Sequence, residues 1–369
     1  MSLTINTNDK RLQLLRKIKD LNSKRLYIWG DGDYSQVIID YLRTVGSYRG
    51  HIVSIVDDEF FKLTESSVVP FSQFLNMGEE QSPIVFGFYN FKIIQEKKAQ
   101  FSSRFPYLFD FHLTVVNGTR LQWNPILLKR KEYLYQKTYN LLADEKSKKV
   151  MQLYLNAATA GEFHELYTEC YESPSYFNSI TSNLKIDTLI DCGAYDGDSV
   201  HDFIEVFPNY KKIIAFEPDP YNFDKLNCRK INENLRDLTI VSKGVGSSNG
   251  NLLFHVKGES NSFFSDKGDS VIQIIKLDDI INDTVGKVLI KMDIEGSELN
   301  ALQGAADIIR NQIPILAICV YHKEEDLIEI PQFIHGLVGE DVYNYYLGFH
   351  GLDLAELVFY AIPKHDLKG

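Results

Sequence analysis

Between Asp187 and Glu217 the chain reads Asp-Thr-Leu-Ile-Asp-Cys-Gly-Ala-Tyr-Asp-Gly-Asp-Ser-Val, an amphipathic segment, and then Lys-Ile-Ile-Ala-Phe-Glu. No other stretch restricts the fold as tightly. Leu189 and Ile190, with Ile186 before them, form a short apolar run suited to a strand buried on both faces, as in a parallel sheet. Gly193 and Gly197 free the backbone to turn sharply into a helix. Glu217 ends the next strand, roughly 20 residues beyond the glycine loop, where nucleotide-binding units place a carboxylate against ribose hydroxyls. The pattern is strand, loop, helix, strand, and it points to a cofactor of the adenosine type.

The charges of the loop narrow the choice. Asp191, Asp196 and Asp198 crowd one turn with carboxylates, which would repel a pyrophosphate. S-adenosylmethionine carries a cationic ammonium and sulfonium and is complementary to them. The residues placed to meet it are Asp191, Gly193, Ala194, Tyr195, Asp196 and Gly197 in the loop, Glu217 and Pro218 after the second strand, and Lys243 and Gly244 after the third. Asp293, after the fourth, completes the set. A glycine turn can also be purely structural; the acids and Glu217 favour the cofactor.

Three blocks carry a family resemblance: Asp-Cys-Gly-Ala-Tyr-Asp-Gly-Asp (191–198), Glu-Pro-Asp-Pro (217–220) and Lys-Met-Asp-Ile-Glu-Gly-Ser-Glu-Leu-Asn-Ala-Leu-Gln-Gly-Ala (291–305). In order and spacing they resemble the signature blocks of the FkbM-type methyltransferases, over the chain from about Asn124 onward. The resemblance implies a Rossmann-like domain and an S-adenosylmethionine-dependent O-methyltransferase, and it alone supplies the oxygen as acceptor.

The chain has 369 residues, and with domains of about 100–200 residues two are expected. No apolar run reaches the roughly 20 residues needed to span a bilayer, and the N-terminus is polar, so neither a membrane span nor a signal peptide is expected. Cys170, Cys192, Cys228 and Cys319 show no metal-ligand spacing, consistent with a reducing cytoplasm. A net charge of −11 argues against a nucleic-acid partner. The expected ligand besides the cofactor is a small-molecule or glycan substrate.

The expected division is a Rossmann-like domain over 1–120, a helical segment over 121–184 and the methyltransferase domain over 185–369. After a lead-in helix (Asp9–Asn22), the first domain has a strand at Lys24–Trp29, the turn Gly30-Asp31-Gly32-Asp33-Tyr34-Ser35, a helix at Val37–Val45, and strands at His51–Val56 and Ile84–Phe88. Ser35 stands where a third glycine would allow close packing, and Asp31 and Asp33 would face any phosphate, so this unit reads as structural or oligomerising. Helical periodicity marks 134–142, 148–158 and 162–171. Beyond Glu217 we expect a helix at Asp219–Asn234, strands at Leu238–Lys243, Asn251–Lys257, Val271–Lys276 and Lys287–Met292, a helix at Gly296–Arg310 and a strand at Pro314–Val320. A terminal hairpin (Val342–Phe349, Glu356–Ile362) then inserts one antiparallel strand. The fold class is α/β, with two Rossmann-like sheets.

Ligands of such sheets sit beyond the carboxyl ends of the strands. That rule brings Asp293 and His322 together as the acid/base pair. Metal-free chemistry comes first; Asp293, Glu295 and Glu298 are the alternative as ligands of a divalent cation. Glu298 would be favoured near a helix N-terminus whatever the function. The expected activity is methylation of a hydroxyl on a sugar or glycan precursor. Two rivals are a nicotinamide-dependent oxidoreductase, which the loop carboxylates and terminal hairpin oppose, and a non-catalytic binding protein of the same fold.

Overall fold

The protein is described here by a computed structural model covering residues 2–61, 68–113, 115–116, 119–120, 124–235, 237–255, 263–264 and 270–367. Mainly apolar stretches of two to six residues form strands β1 (Arg25–Trp29), β2 (His51–Val56), β3 (Val68–Pro70), β4 (Ile84–Phe86) and β5 (Leu108–Phe109) of the N-terminal part. They pair in parallel in the order β3-β2-β1-β4-β5. Gly30 follows β1 at φ +127°, and a Cβ there would lie 2.9 Å from Ser35 Oγ. Ser35 Oγ donates to Gly87 O (2.7 Å), so its side chain ties the turn to the strand end beside it. The helix after this turn spans Asp33–Thr44, four residues earlier than its apolar periodicity suggests, with Asp33 in its first turn where the helix dipole favours an acid. β3, β5 and the helix Phe91–Phe101 were not expected; the two strands are too short to show a period.

Two short antiparallel strands, β6 (Val115–Val116) and β7 (Thr119–Arg120), precede the helical segment. Residues 121–123, beside the expected boundary, lie outside the described residues. Four helices follow, Pro125–Arg130, Glu132–Leu141, Glu145–Ala160 and Phe163–Cys170, one more than expected. The extra one carries its own start signal, with Asn124 capping two N–H groups and Pro125 in the first turn. The N-terminal residues pack onto this segment: Leu3 and Ile5 are buried in the same apolar core as Tyr135, Val150 and Tyr154.

The second sheet is built from β8 (Thr188–Cys192), β9 (Lys212–Phe216) and β10 (Leu238–Val241). A separate small sheet of β11 (Gly244–Val245), β12 (Gly250–His255), β13 (Phe263–Phe264) and β14 (Ser270–Ile275) then interrupts it, in the order β11-β14-β12-β13. Residues 256–257 of the expected strand lie outside the described residues. The main sheet resumes with β15 (Val288–Met292), β16 (Ile315–Cys319), β17 (Tyr343–Phe349) and β18 (Leu357–Pro363). Its order is β10-β9-β8-β15-β16-β18-β17; all pairs are parallel except those of β18 with β16 and β17. The expected terminal hairpin is therefore present, its connection running over 350–356. β8, β15, β16 and β18 are buried along their whole length, which is why they read as continuous apolar runs.

The helix expected at Gly296–Arg310 is two helices, Glu298–Gln303 and Ala306–Gln312. They break at Gly304, where a Cβ would lie 2.0 Å from Gly246 O. A loop of the small sheet is pressed against the helix at that point. The helix Asp326–Val338 was also not expected; it is apolar on more than one face, with Leu327, Ile328, Ile330, Pro331 and Ile334 all buried, which blurs its period.

Candidate active site

The carboxyl ends of β8, β9, β15 and β16 lie side by side, because parallel register aligns Asp191 with Lys291 and Cys192 with both Phe216 and Met292. Asp191 is fully buried and pairs with Lys291 Nζ at 3.0 Å; Ser199 Oγ donates to its other oxygen (2.6 Å). Lys291 Nζ also donates to Gly193 O (2.7 Å). Burial raises the Asp191 carboxyl against the pull of Lys291, while Lys291, though burial opposes its charge, is held protonated by Asp191. The sequence suggested that Asp191 turns a negative charge toward a cationic ligand. Here that charge is neutralised inside the fold, and Lys291 uses it to clamp the glycine loop.

The loop has little freedom. Gly193 sits at φ +81°, and a Cβ there would lie 1.9 Å from Asp293 O. Tyr195 (φ +47°) and Gly197 (φ +90°) are also left-handed. Gly193 and Ala194 donate their N–H groups to Phe216 O, 3.0 Å each. Glu217 is buried and accepts from Tyr195 N (2.8 Å) and Asp219 N (2.9 Å). Burial pushes its carboxyl up to about 7, the two N–H groups opposing. A carboxylate offers roughly four acceptor positions, so two remain for a ligand's hydroxyls. Pro218 follows, half-buried. Asp196 is half-buried, 3.8 Å from Arg229, while Asp198 accepts from Ser199 N (2.7 Å) at the start of the next helix. Lys243 and Gly244 follow β10 at the same end of the sheet, and Gly244 is taken into the small sheet against Ile274.

Asp293, Glu295, Glu298 and His322 form a second cluster beside the loop. His322 Nε2 lies 3.4 Å from Asp293 Oδ1 and 3.6 Å from Glu295 Oε2; Nδ1 lies 3.1 Å from Glu298 Oε1. Glu298 is fully buried, and its Oε1 accepts from Ile294 N (2.9 Å) and Gly296 N (3.3 Å), so it also shapes the turn after β15. Glu298 therefore stands in the first turn of the helix Glu298–Gln303 and faces the histidine. Burial disfavours the imidazolium, but Glu298, then Asp293 and Glu295, outweigh it and push His322 up to about 10. Asp293 is held below the usual carboxylate range, burial opposing and His322 and Lys291 prevailing.

Tyr176, Lys291 and Glu356, which stand beside this cluster, were missed from sequence. The Tyr176 hydroxyl donates to Asp293 Oδ2 (2.8 Å), and that of Tyr321 to Oδ1 (3.3 Å). Tyr176 was one of many tyrosines before the sheet, and nothing local distinguished it. Lys291 did leave a signal, a charge inside the apolar run Val-Leu-Ile-Lys-Met. Glu356, half-buried in the 350–356 connection, is pushed up to about 8 by burial and then by Asp293.

Residues 191–344 match the model of the Methyltransferase FkbM domain. The structure is similar to the crystal structure of a methyltransferase FkbM from Methylobacillus flagellatus KT, at 22% identity and a TM-score of 0.71, covering 95% of this chain and 93% of that one. It is also similar, over 49% of this chain and 92% of the other, to a Streptococcus mutans protein described as a methyltransferase in complex with SAH, at 16% identity and a TM-score of 0.30. An rRNA methylase from Streptococcus thermophilus matches over 50% of this chain and 90% of its own, at 14% identity and a TM-score of 0.33. No curated protein matches the sequence.

Proposed function

We propose that this chain, a methyltransferase carrying an FkbM methyltransferase domain, moves the methyl group of S-adenosylmethionine onto a hydroxyl of a sugar or glycan precursor. The observation that carries the cofactor is Glu217, a buried carboxylate at the end of β9 with acceptor capacity left over, beside a glycine loop held open by left-handed residues. In this reading Glu217 takes the ribose hydroxyls, while Gly193, Ala194, Tyr195, Asp196 and Gly197 line the rest, with Pro218, Lys243 and Gly244 at the margin. Asp191 acts through Lys291 as a positioning residue.

Methyl transfer is an in-line displacement: the acceptor oxygen bonds to the methyl carbon, the carbon–sulfur bond breaks, and the hydroxyl proton must leave. Asp293 is the residue we assign to receive that proton, oriented by Tyr176 and Tyr321. In the arrangement described above His322 is already protonated at neutral pH, so it serves as Asp293's counter-charge rather than as a base.

The test is thermal shift. S-adenosylhomocysteine should raise the melting temperature and NADH should not, since a ligand of the native state stabilises it by mass action. Glu217→Ala should weaken the binding about 10- to 100-fold, the loss of a charged acceptor worth about 1.5–3 kcal/mol. Stabilisation by NADH that Glu217→Ala abolishes would replace this reading with the oxidoreductase.

A further inference from the structure

We propose that Asp293, Glu298 and His322 form a binding site for one divalent transition-metal ion, with Glu295 at its edge. One ligand atom from each of the three lies within 4.8 Å of the others. His322 is 3% exposed and Glu298 fully buried.

The hydrogen bonding points the same way. Neither imidazole nitrogen of His322 makes a hydrogen bond of acceptable geometry among the described residues, although carboxylate oxygens stand 3.1 to 3.6 Å away. Glu298 Oε1 is occupied by the two backbone N–H groups of the turn, whereas its Oε2 is buried and has no partner among those residues. A buried polar atom without a partner costs free energy, and a ring wedged among misaligned carboxylates gains little from them. A cation held by Asp293, Glu298 Oε2 and one imidazole nitrogen, whose proton it displaces, satisfies two of these atoms, while the other ring nitrogen keeps its proton toward the carboxylate beside it. It also offsets the charge, since three carboxylates face a single imidazole in a site taken out of water.

The donor set selects the ion. Nitrogen from imidazole together with carboxylate oxygen suits Mn²⁺, Fe²⁺ or Zn²⁺, whereas Mg²⁺ and Ca²⁺ prefer oxygen alone. Second-sphere support is in place: Tyr176 and Tyr321 orient Asp293, and Ile294 N and Gly296 N orient Glu298. On the methyltransferase reading above, an ion here would lower the pKa of the acceptor hydroxyl, with Asp293 acting as its ligand instead of as the proton acceptor.

The experiment uses the full chain stripped with EDTA and titrated with Mn²⁺, the free ion followed by its electron paramagnetic resonance signal. We expect one equivalent bound, Mg²⁺ competing poorly, and at least a tenfold loss of affinity in His322→Gln and Asp293→Asn. Asp57→Asn, in the N-terminal sheet, controls for adventitious binding to an acidic protein and should change nothing. A cooperative thermal unfolding transition in each variant shows that it is folded. Absence of a stoichiometric site, binding unchanged in folded His322→Gln, or equal affinity for Mg²⁺ would each overturn the proposal. The outcomes separate from those for the cofactor: S-adenosylhomocysteine binding without Mn²⁺ binding removes the ion alone, and the reverse removes the cofactor alone.

Discussion

At the scale of single residues, Glu217 links burial to cofactor affinity. Its folded-state pKa of about 7 lies above the ordinary glutamate value, so the stability it contributes is present below about pH 4.5 and is lost as pH rises through about 7. Ribose hydroxyls need the ionised form. About a tenth of Glu217 is ionised at pH 6, so S-adenosylhomocysteine should bind about tenfold more weakly there than at pH 8. Calorimetry across that range should show the slope in the wild type and its loss in Glu217→Gln. A flat wild-type profile would mean that Glu217 stays ionised throughout or does not meet the ribose.

At the scale of elements, the paired ends of β8 and β15 are held by one buried ion pair. Asp191 and Lys291 are almost fully inaccessible, and the pair joins β8, the glycine loop and β15. Removing one partner leaves a buried charge alone, at a cost of about 3–5 kcal/mol. Lys291→Met should therefore lower the denaturation midpoint strongly and, by releasing Gly193 O, weaken S-adenosylhomocysteine binding. Lys291→Met with Asp191→Asn should recover stability without recovering the binding. Urea titrations of the two variants separate these effects, and equal stability of the single and double variants would show that the pair is not the source.

At the scale of the whole molecule, the N-terminal part is joined to the helical segment by specific contacts. The Arg11 guanidinium donates to Ala158 O (3.1 Å) and Thr159 O (2.8 Å) at the end of the helix Glu145–Ala160. His112 stacks on Phe163 at 4.5 Å, and Phe91 meets Phe163 and Tyr167. The hydrogen bonds reported above to Asp191, Glu217 and Asp293 all come from residues 176–321. We therefore expect a fragment beginning at Asn124 to bind S-adenosylhomocysteine yet melt lower. Exposing Phe163 and its neighbours costs about 3 kcal/mol, which is roughly 10 °C for a domain of this size. Scanning calorimetry with and without ligand measures both; a folded fragment that binds nothing would refute the division at 120.

The local order of the chain determined most of the framework. Buried strands leave continuous apolar runs, the glycine loop leaves its glycines, and the carboxylates 191, 217 and 293 stand at strand ends where the parallel fold brings them together. Strands β3 and β5 and the helix break at Gly304 were beyond that reading: two or three residues carry no period, and the break comes from Gly246, a residue distant in sequence. The same holds at the site. That Asp191 pairs with Lys291, that Tyr176 reaches Asp293, and that three carboxylates surround His322 depend on contacts between segments up to 117 residues apart. Protonation follows from burial and from neighbouring charges, and neighbours exist only once the chain has folded.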